Sequence, residues 1–182
     1  MRYFYDCEFL EDGRTIGLIS IGIEAEDGRA FYGIVEDRSL WRRVRKHPWL
    51  MANVVPHLPR ASGDARNQQP ASWLFNYADP AVMNRWSLAA RVQEFIEAGG
   101  PDREQHELWA YFGAYDHVAL CQLWGRMIDL PACVPMWTHE LMQLPEVGAA
   151  IRQVPQQQEH HALADARWNR DVYLKWEEIN GG

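Results

Sequence analysis

The sequence predicts an α/β protein in which helices flank a mixed central β-sheet. Two observations support this class, and the length of the chain bears on its domain organisation. The first 35 residues hold three stretches rich in aromatic and β-branched residues, which favour strands. A fourth such stretch, 107–112, leads directly into an amphipathic pattern, and two further amphipathic patterns follow Pro80 and His161. With 182 residues the chain can build one substantial core, so we expect a single domain over residues 1–182.

The first three strands are predicted at 2–9, 15–25 and 29–35. The short links between them contain Asp-Gly at Gly13 and Gly28, and such links are typical of hairpin turns. The strands therefore form an antiparallel meander.

The middle of the chain is predicted to be an irregular loop followed by a helix. Prolines punctuate residues 56–80. Asp79 then provides a helix cap, Pro80 suits the first helical turn, and Gly99 follows the predicted end near Ala98. The apolar face of this helix is predicted to hold Val82, Trp86, Ala89, Val92 and Ile96.

The first strand carries the first candidate site. Side chains alternate across a strand, so Asp6 and Glu8 project from one face and place two carboxylates a few ångströms apart. Like-charge repulsion would raise the pKa of one of them, whereas hard oxygen ligands of this kind suit Mg²⁺ or Mn²⁺. The alternative is a solvated strand end without a metal.

Two more acidic residues lie at predicted helix starts. Asp116 follows the strand at 107–112 and begins a helix that runs to about Trp124, where it could equally serve as an N-cap. Asp165 lies in the first turns of the last helix, where the helix dipole also favours an acid. Adjacent histidines precede it, and helical spacing alone would place His161 on the face of Asp165.

Three motifs in a fixed order resemble the histidine-bearing branch of the DEDD 3′-to-5′ exonuclease superfamily. They are D-x-E at Asp6, A-Y-D-x-x-x-L at Asp116, and H-x-A-L-x-D-A at Asp165. Within that superfamily the chain is most similar to the actinobacterial exoribonuclease AS group, whose members prefer polyadenylate. The similarity covers about residues 1–35 and 104–180, and residues 36–103 match no motif.

The resemblance implies a ribonuclease-H-like fold and two-metal hydrolysis with two divalent ions, Mg²⁺ or Mn²⁺. By family role, Asp6, Glu8 and Asp165 would hold one ion. Asp6 would bridge to the second, which Asp116 would support largely through water. In the family the general base precedes the last acid by five residues, which selects His160 over its neighbour.

The implied substrate is the 3′ end of single-stranded RNA, which would be released as nucleoside 5′-monophosphates. Phe9 would pack beside the terminal base, although it could equally belong to the core, and His161 would be a flanking residue that touches substrate. The nearest family implies a homodimer. Two alternatives stay open: the same carboxylates could cleave single-stranded DNA, or the fold could serve as a non-catalytic nucleic-acid-binding module.

Composition constrains the partners. The net charge of −7 is unusual for a nucleic-acid binder, although bound metal ions would supply positive charge at the site. The basic concentration 41–47, with Trp41 and Trp49 beside it, could carry an RNA backbone or simply form a solvated helix face.

The three cysteines form no C-x-x-C pair and predict reduced thiols in a cytoplasmic protein. The sequence has no signal-peptide pattern and no apolar run long enough for a membrane span, so we expect no membrane partner.

Overall fold

The computed structural model describes residues 1–59 and 76–181, which include a six-stranded mixed sheet. Its spatial order is β4-β3-β2-β1-β5-β6. Strand β2 pairs antiparallel with both β1 and β3, while the β1–β5, β3–β4 and β5–β6 pairs are parallel. The strands are β1 Arg2–Glu11, β2 Ile16–Ala25, β3 Ala30–Val35, β4 Val82–Met83, β5 Glu107–Ala110 and β6 His139–Glu140. The predicted meander and the mixed sheet are therefore confirmed.

Six α-helices accompany the sheet in the described part of the chain. They are α1 Arg38–Val44, α2 Pro48–Asn53, α3 Arg85–Glu97, α4 Ala114–Cys121, α5 Val147–Ile151 and α6 Ala162–Asn180. Helices α3 and α4 bury their apolar residues with one face of the sheet, in a cluster that includes Ile21 and Leu120. The opposite face packs against α6, through Phe4 and Tyr173, and against α1 and α2, through Ile34.

The N-terminus of α6 lies directly on β2 because Gly22 has no side chain. A Cβ atom at Gly22 would stand 2.3 Å from both the Cα and the backbone nitrogen of Leu163. Gly22 pairs with Asp6 across the β1–β2 ladder. The glycine thus lets the first turn of α6 approach the strand position that carries the first acid.

The predicted start of α3 is wrong. Asp79 accepts a hydrogen bond from the Ala81 backbone within a turn, and Val82 pairs with β3 as part of a short strand. The helix begins after Asn84, whose side chain accepts a hydrogen bond from the backbone nitrogen of Ser87. This later start also corrects the predicted apolar face, because Trp86 is 84% exposed.

Other element boundaries differ from the predicted ones by a few residues. Helix α4 begins at Ala114 and ends at Cys121, earlier than predicted, and β5 ends at Ala110. Of the loop predicted at 56–80, residues 60–75 lie outside the described residues. The described part contains the end of a 3-10 helix, Val55–His57, and a turn at 77–80. All three cysteines are free thiols. Among the described helices, none combines the length and the apolar character needed to cross a membrane.

Candidate active site

The site forms where β1 continues beyond its parallel neighbour β5. The last β1–β5 pair is Phe4 with Trp109, so the next backbone groups on that edge of β1 have no strand partner. Side chains from two helices replace it. The Asn169 amide nitrogen donates to the Tyr5 carbonyl over 3.0 Å, and the Cys7 N–H donates to Asp116 Oδ1 over 2.7 Å. These bonds join α4 and α6 to the strand that carries the acids.

Strand alternation places the first two acids as predicted. Asp6 and Glu8 lie on one face, while Cys7 between them is buried in the core on the other face. Directly after Glu8 the ladder with β2 shifts register, because Ile19 is an extra residue in β2. Such a bulge twists a strand locally and re-aims its side chains, and bulges are common beside active sites.

Asp165 reaches the same place from the first turn of α6. Its Oδ1 accepts a hydrogen bond from the Gln156 amide over 2.8 Å, and its Oδ2 accepts one from the backbone N–H of His160 over 2.8 Å. Oxygen atoms of Asp6, Glu8 and Asp165 all lie within 4.8 Å of one another. The fold therefore brings Asp165, near the C-terminal end of the sequence, together with the two carboxylates of β1.

Asp116 lies at the edge of this group. It occupies the first turn of α4, where Gly113 is the capping residue, so the N-cap alternative for Asp116 is wrong. One of its oxygens is engaged by Cys7, and the acid is not part of the three-carboxylate cluster. It nevertheless lines the same cavity.

The two histidines point to different places. His160 has a left-handed backbone, with φ of 67°, and its Nδ1 lies 3.9 Å from Glu8 Oε1. The His161 ring instead caps α6 by accepting a hydrogen bond from the Ala164 N–H over 3.3 Å, and it stacks on Tyr32 with ring centroids 4.6 Å apart. Burial lowers the pKa of His161. Only His160 lies among the acids.

A cavity of about 410 Å³ contains the four acids and His160. Phe9 lines it beside Glu8 and stacks on Tyr115, with ring centroids 6.2 Å apart and planes 21° from parallel. The half-exposed Trp49, from α2, meets the His160 ring edge-to-face at 4.8 Å. The cavity thus has a carboxylate floor and aromatic side chains at its margin.

Burial and mutual repulsion raise the pKa values of the acids when no cation is bound. Burial, followed by repulsion from Asp165 and Asp116, raises the pKa of Glu8 to about 8. Burial also raises the pKa of Asp116 to about 7, and burial with three neighbouring carboxylates raises the pKa of Asp6 well above its usual range. Among the described residues, no lysine or arginine lies within ion-pairing distance of these acids.

This donor set suits a hard divalent cation. Carboxylate oxygens are the preferred ligands of Mg²⁺ and Mn²⁺, and three of them converge here. A bound cation would also offset the repulsion that raises the carboxyl pKa values. The residues therefore fit the metal chemistry that the motifs predict.

Comparison with known proteins agrees with the site. Residues 1–176 match the model of the 3′-5′ exoribonuclease Rv2179c-like domain. The chain belongs to this family. It is 45% identical over 168 residues to the 3′-5′ exoribonuclease Rv2179c of Mycobacterium tuberculosis H37Rv, covering 92% of this chain and 88% of that protein. The 3′-5′ exoribonuclease MT2234.1 of M. tuberculosis CDC 1551 is equally similar.

Among solved structures, the Mg²⁺- and Mn²⁺-bound form of S. pombe Pop2p aligns with a TM-score of 0.54 at 12% identity. The alignment covers all of this chain and 85% of Pop2p. This likeness confirms the predicted ribonuclease-H-like exonuclease fold. Membership of the Rv2179c-like family confirms that the chain is a 3′-5′ exoribonuclease.

Several residues of the site were not found by sequence reasoning. Gln156 holds Asp165, and Glu140 holds the loop before α4. Phe112 lines the cavity and Trp49 contacts His160. Trp49 lies in the segment that matches no motif, and the sequence indicated it only as a neighbour of the basic segment 41–47. The contacts of Glu140 and Trp49 depend on packing between segments that are distant in the sequence.

The basic segment 41–47 divides between core and surface. Trp41 is buried and donates its indole N–H to the Val35 carbonyl, so it is a core residue. Arg43 pairs with Asp12 over 2.7 Å. Arg42 and Lys46 are exposed and remain candidates for contacting an RNA backbone.

Proposed function

We propose that this exoribonuclease removes nucleoside 5′-monophosphates from the 3′ end of single-stranded RNA or of 3′ overhangs, with a preference for adenine-rich ends, by a two-metal mechanism. The convergence of Asp6, Glu8 and Asp165 within 4.8 Å in a solvent-open cavity is the observation that carries the proposal. Family membership supports RNA and 3′ polarity.

In this proposal Asp6, Glu8 and Asp165 would hold one divalent ion, and Asp6 with Asp116 would serve a second. Asp116 lies outside the three-acid cluster and shares one oxygen with the Cys7 N–H, which supports an indirect contact through water. When bound, two such ions supply a nucleophile at neutral pH and stabilise the charge that develops on the leaving oxygen. The Mg²⁺- and Mn²⁺-bound Pop2p supports the choice of metals.

His160 is proposed as the general base. Its imidazole would accept a proton from the attacking water, and its Nδ1 lies among the acids, 3.9 Å from Glu8 Oε1. The backbone bond from His160 to Asp165 and the edge contact with Trp49 hold the residue in place.

Phe9 is proposed to pack against the terminal base. Aromatic side chains stack on unpaired bases without strong sequence preference, and Phe9 is already supported by the parallel ring of Tyr115. The predicted contact of His161 with substrate stays a prediction, because its ring is engaged with Tyr32 and the N-terminus of α6.

The decisive experiment uses matched RNA and DNA oligomers labelled at the 5′ end, incubated with Mg²⁺ or Mn²⁺ and compared with EDTA. A shrinking RNA ladder that needs metal, runs faster for adenine-rich ends and leaves DNA largely intact is expected. Equal rates on DNA would favour the exodeoxyribonuclease alternative. Binding without cleavage would favour the non-catalytic module, and internal fragments would contradict 3′ polarity.

The homodimer and the cytoplasmic location also remain predictions. Light scattering on the purified protein tests the first, and fractionation of cells tests the second.

A further inference from the structure

We propose that Phe112 is a second base-stacking residue of the cavity, held in position by a carboxylate clamp that Glu140 forms. This inference rests on the proposed function, because it assigns a contact to the RNA that the site is proposed to cleave. It gives a role to a cavity residue that the proposed mechanism leaves without one.

The backbone of Phe112 has an unusual conformation. Its φ of 53° lies in the left-handed region, which bulky side chains rarely adopt. Residues held in such conformations cluster at functional sites, where surrounding contacts enforce them. Phe112 stands at the turn between β5 and α4, three residues beyond Trp109 and four before Asp116.

The Glu140 carboxylate accepts three backbone hydrogen bonds, two of them from this turn. Glu140 Oε1 accepts hydrogen bonds from the N–H groups of Phe112, over 2.9 Å, and Met142, over 3.0 Å. Its Oε2 accepts one from the Gly113 N–H over 2.8 Å. Glu140 reaches this place because β6 pairs with β5, opposite Ala110. A charged acceptor with three backbone donors fixes the turn.

The Phe112 ring is exposed to solvent. The turn presents the Phe112 side chain at 63% exposure, although burying such a ring would be favourable. The ring lines the cavity that holds the acids, and Tyr111 supports it with ring centroids 4.5 Å apart. An apolar ring that is held in solvent beside a phosphodiester-cleaving site has the properties of a stacking platform for an unpaired base.

The test compares Phe112→Ala, Phe112→Trp and wild type on a 5′-labelled adenine-rich RNA. Loss of one base contact is expected to raise KM roughly tenfold with little change in kcat, and Phe112→Trp should restore KM. Trp86→Ala is the matched control, because Trp86 is an exposed aromatic residue that does not line the cavity. Unchanged KM in Phe112→Ala would overturn the inference.

A series of oligomers with one abasic nucleotide locates the contact. At the position whose base stacks on Phe112, wild type should lose about as much as Phe112→Ala loses on intact RNA, and the variant should lose nothing further. Independent losses at every position would contradict a stacking role. The wild-type ladder in the same experiment tests the proposed function separately.

If wild type does not shorten the RNA, anisotropy of a labelled oligomer with phosphorothioate 3′ linkages still measures the contribution of Phe112 to binding. The melting temperatures of two variants test the strained turn directly. Phe112→Gly and Phe112→Ala both lack the ring, yet glycine adopts a φ of 53° without strain, so the glycine variant should melt at the higher temperature. A lower melting temperature for Phe112→Gly would refute the strained turn.

Discussion

Replacing Gly22 with alanine should disable the site without touching any of its acids. The added Cβ would stand 2.3 Å from the Cα and backbone nitrogen of Leu163 and 2.4 Å from the carbonyl carbon of Ala162. Ordinary contacts begin near 3.4 Å, so the helix start must move by about 3.4 − 2.3 = 1.1 Å. All three neighbours are backbone atoms and cannot rotate away.

The displaced segment is the first turn of α6, which carries Asp165. Misplacement by about 1 Å can cost on the order of a hundredfold in rate, so kcat should fall by about that factor. Overpacking of this kind costs about 1–3 kcal/mol of unfolding free energy. For a chain of 182 residues this corresponds to a fall in Tm of roughly 2–12 °C.

The assay measures kcat on an RNA ladder and Tm by differential scanning fluorimetry. Gly148→Ala is the matched control, because a Cβ there would meet only the flexible Arg152 side chain at 3.5 Å. The control should keep kcat and melt no lower than wild type. Normal kcat in Gly22→Ala with a lowered Tm would show that this close approach stabilises the fold but does not position Asp165.

Three further predictions concern the acids and histidines directly. Asp6→Asn or Asp165→Asn should lower kcat on the order of thousands-fold while the variant still unfolds in one cooperative transition in EDTA, and near-normal turnover in either variant would refute the two-metal proposal. His160→Ala should lower kcat by roughly a hundredfold and flatten the acidic limb of the pH–rate profile at saturating metal. His161→Ala should keep that limb but have a lower Tm, because the substitution removes a helix cap. The reverse pattern would assign the general base to His161. In the metal-free protein the pKa of the Glu8 carboxyl is raised to about 8, whereas in the unfolded chain it has its ordinary value of 4.5. Between these two values the folded state binds a proton that the unfolded chain has released. The contribution of Glu8 to the free energy of unfolding is therefore fully present below about pH 4.5 and is lost as the pH rises toward 8. Tm measured in EDTA should therefore fall from about pH 5 to about pH 8, and Mg²⁺ should raise Tm more at the higher pH; a Tm in EDTA that does not change over this range would contradict the buried, repelling cluster.

Local periodicity determined much of the fold in advance. Alternation along β1 predicted that Asp6 and Glu8 share a face, and the apolar pattern after His161 predicted the helix that carries Asp165. These features depend on neighbours within one strand or one helical turn. The start of α3 escaped prediction because Asp79 and Pro80 form an acceptable helix start locally, while pairing of Val82 with β3 favours a strand.

The sequence also determined the order and spacing of the acidic motifs, from which the family and its chemistry follow. The tertiary structure decided which atoms meet. Asp116 binds the Cys7 backbone across 109 residues, because β5 ends early and leaves that N–H without a strand partner. Phe112 is clamped from Glu140, 28 residues later, through the pairing of two short strands. Contacts of this kind depend on how whole helices and strands pack together. A local pattern of residues predicts a helix or a strand, but it does not predict which backbone groups of another element a side chain will reach.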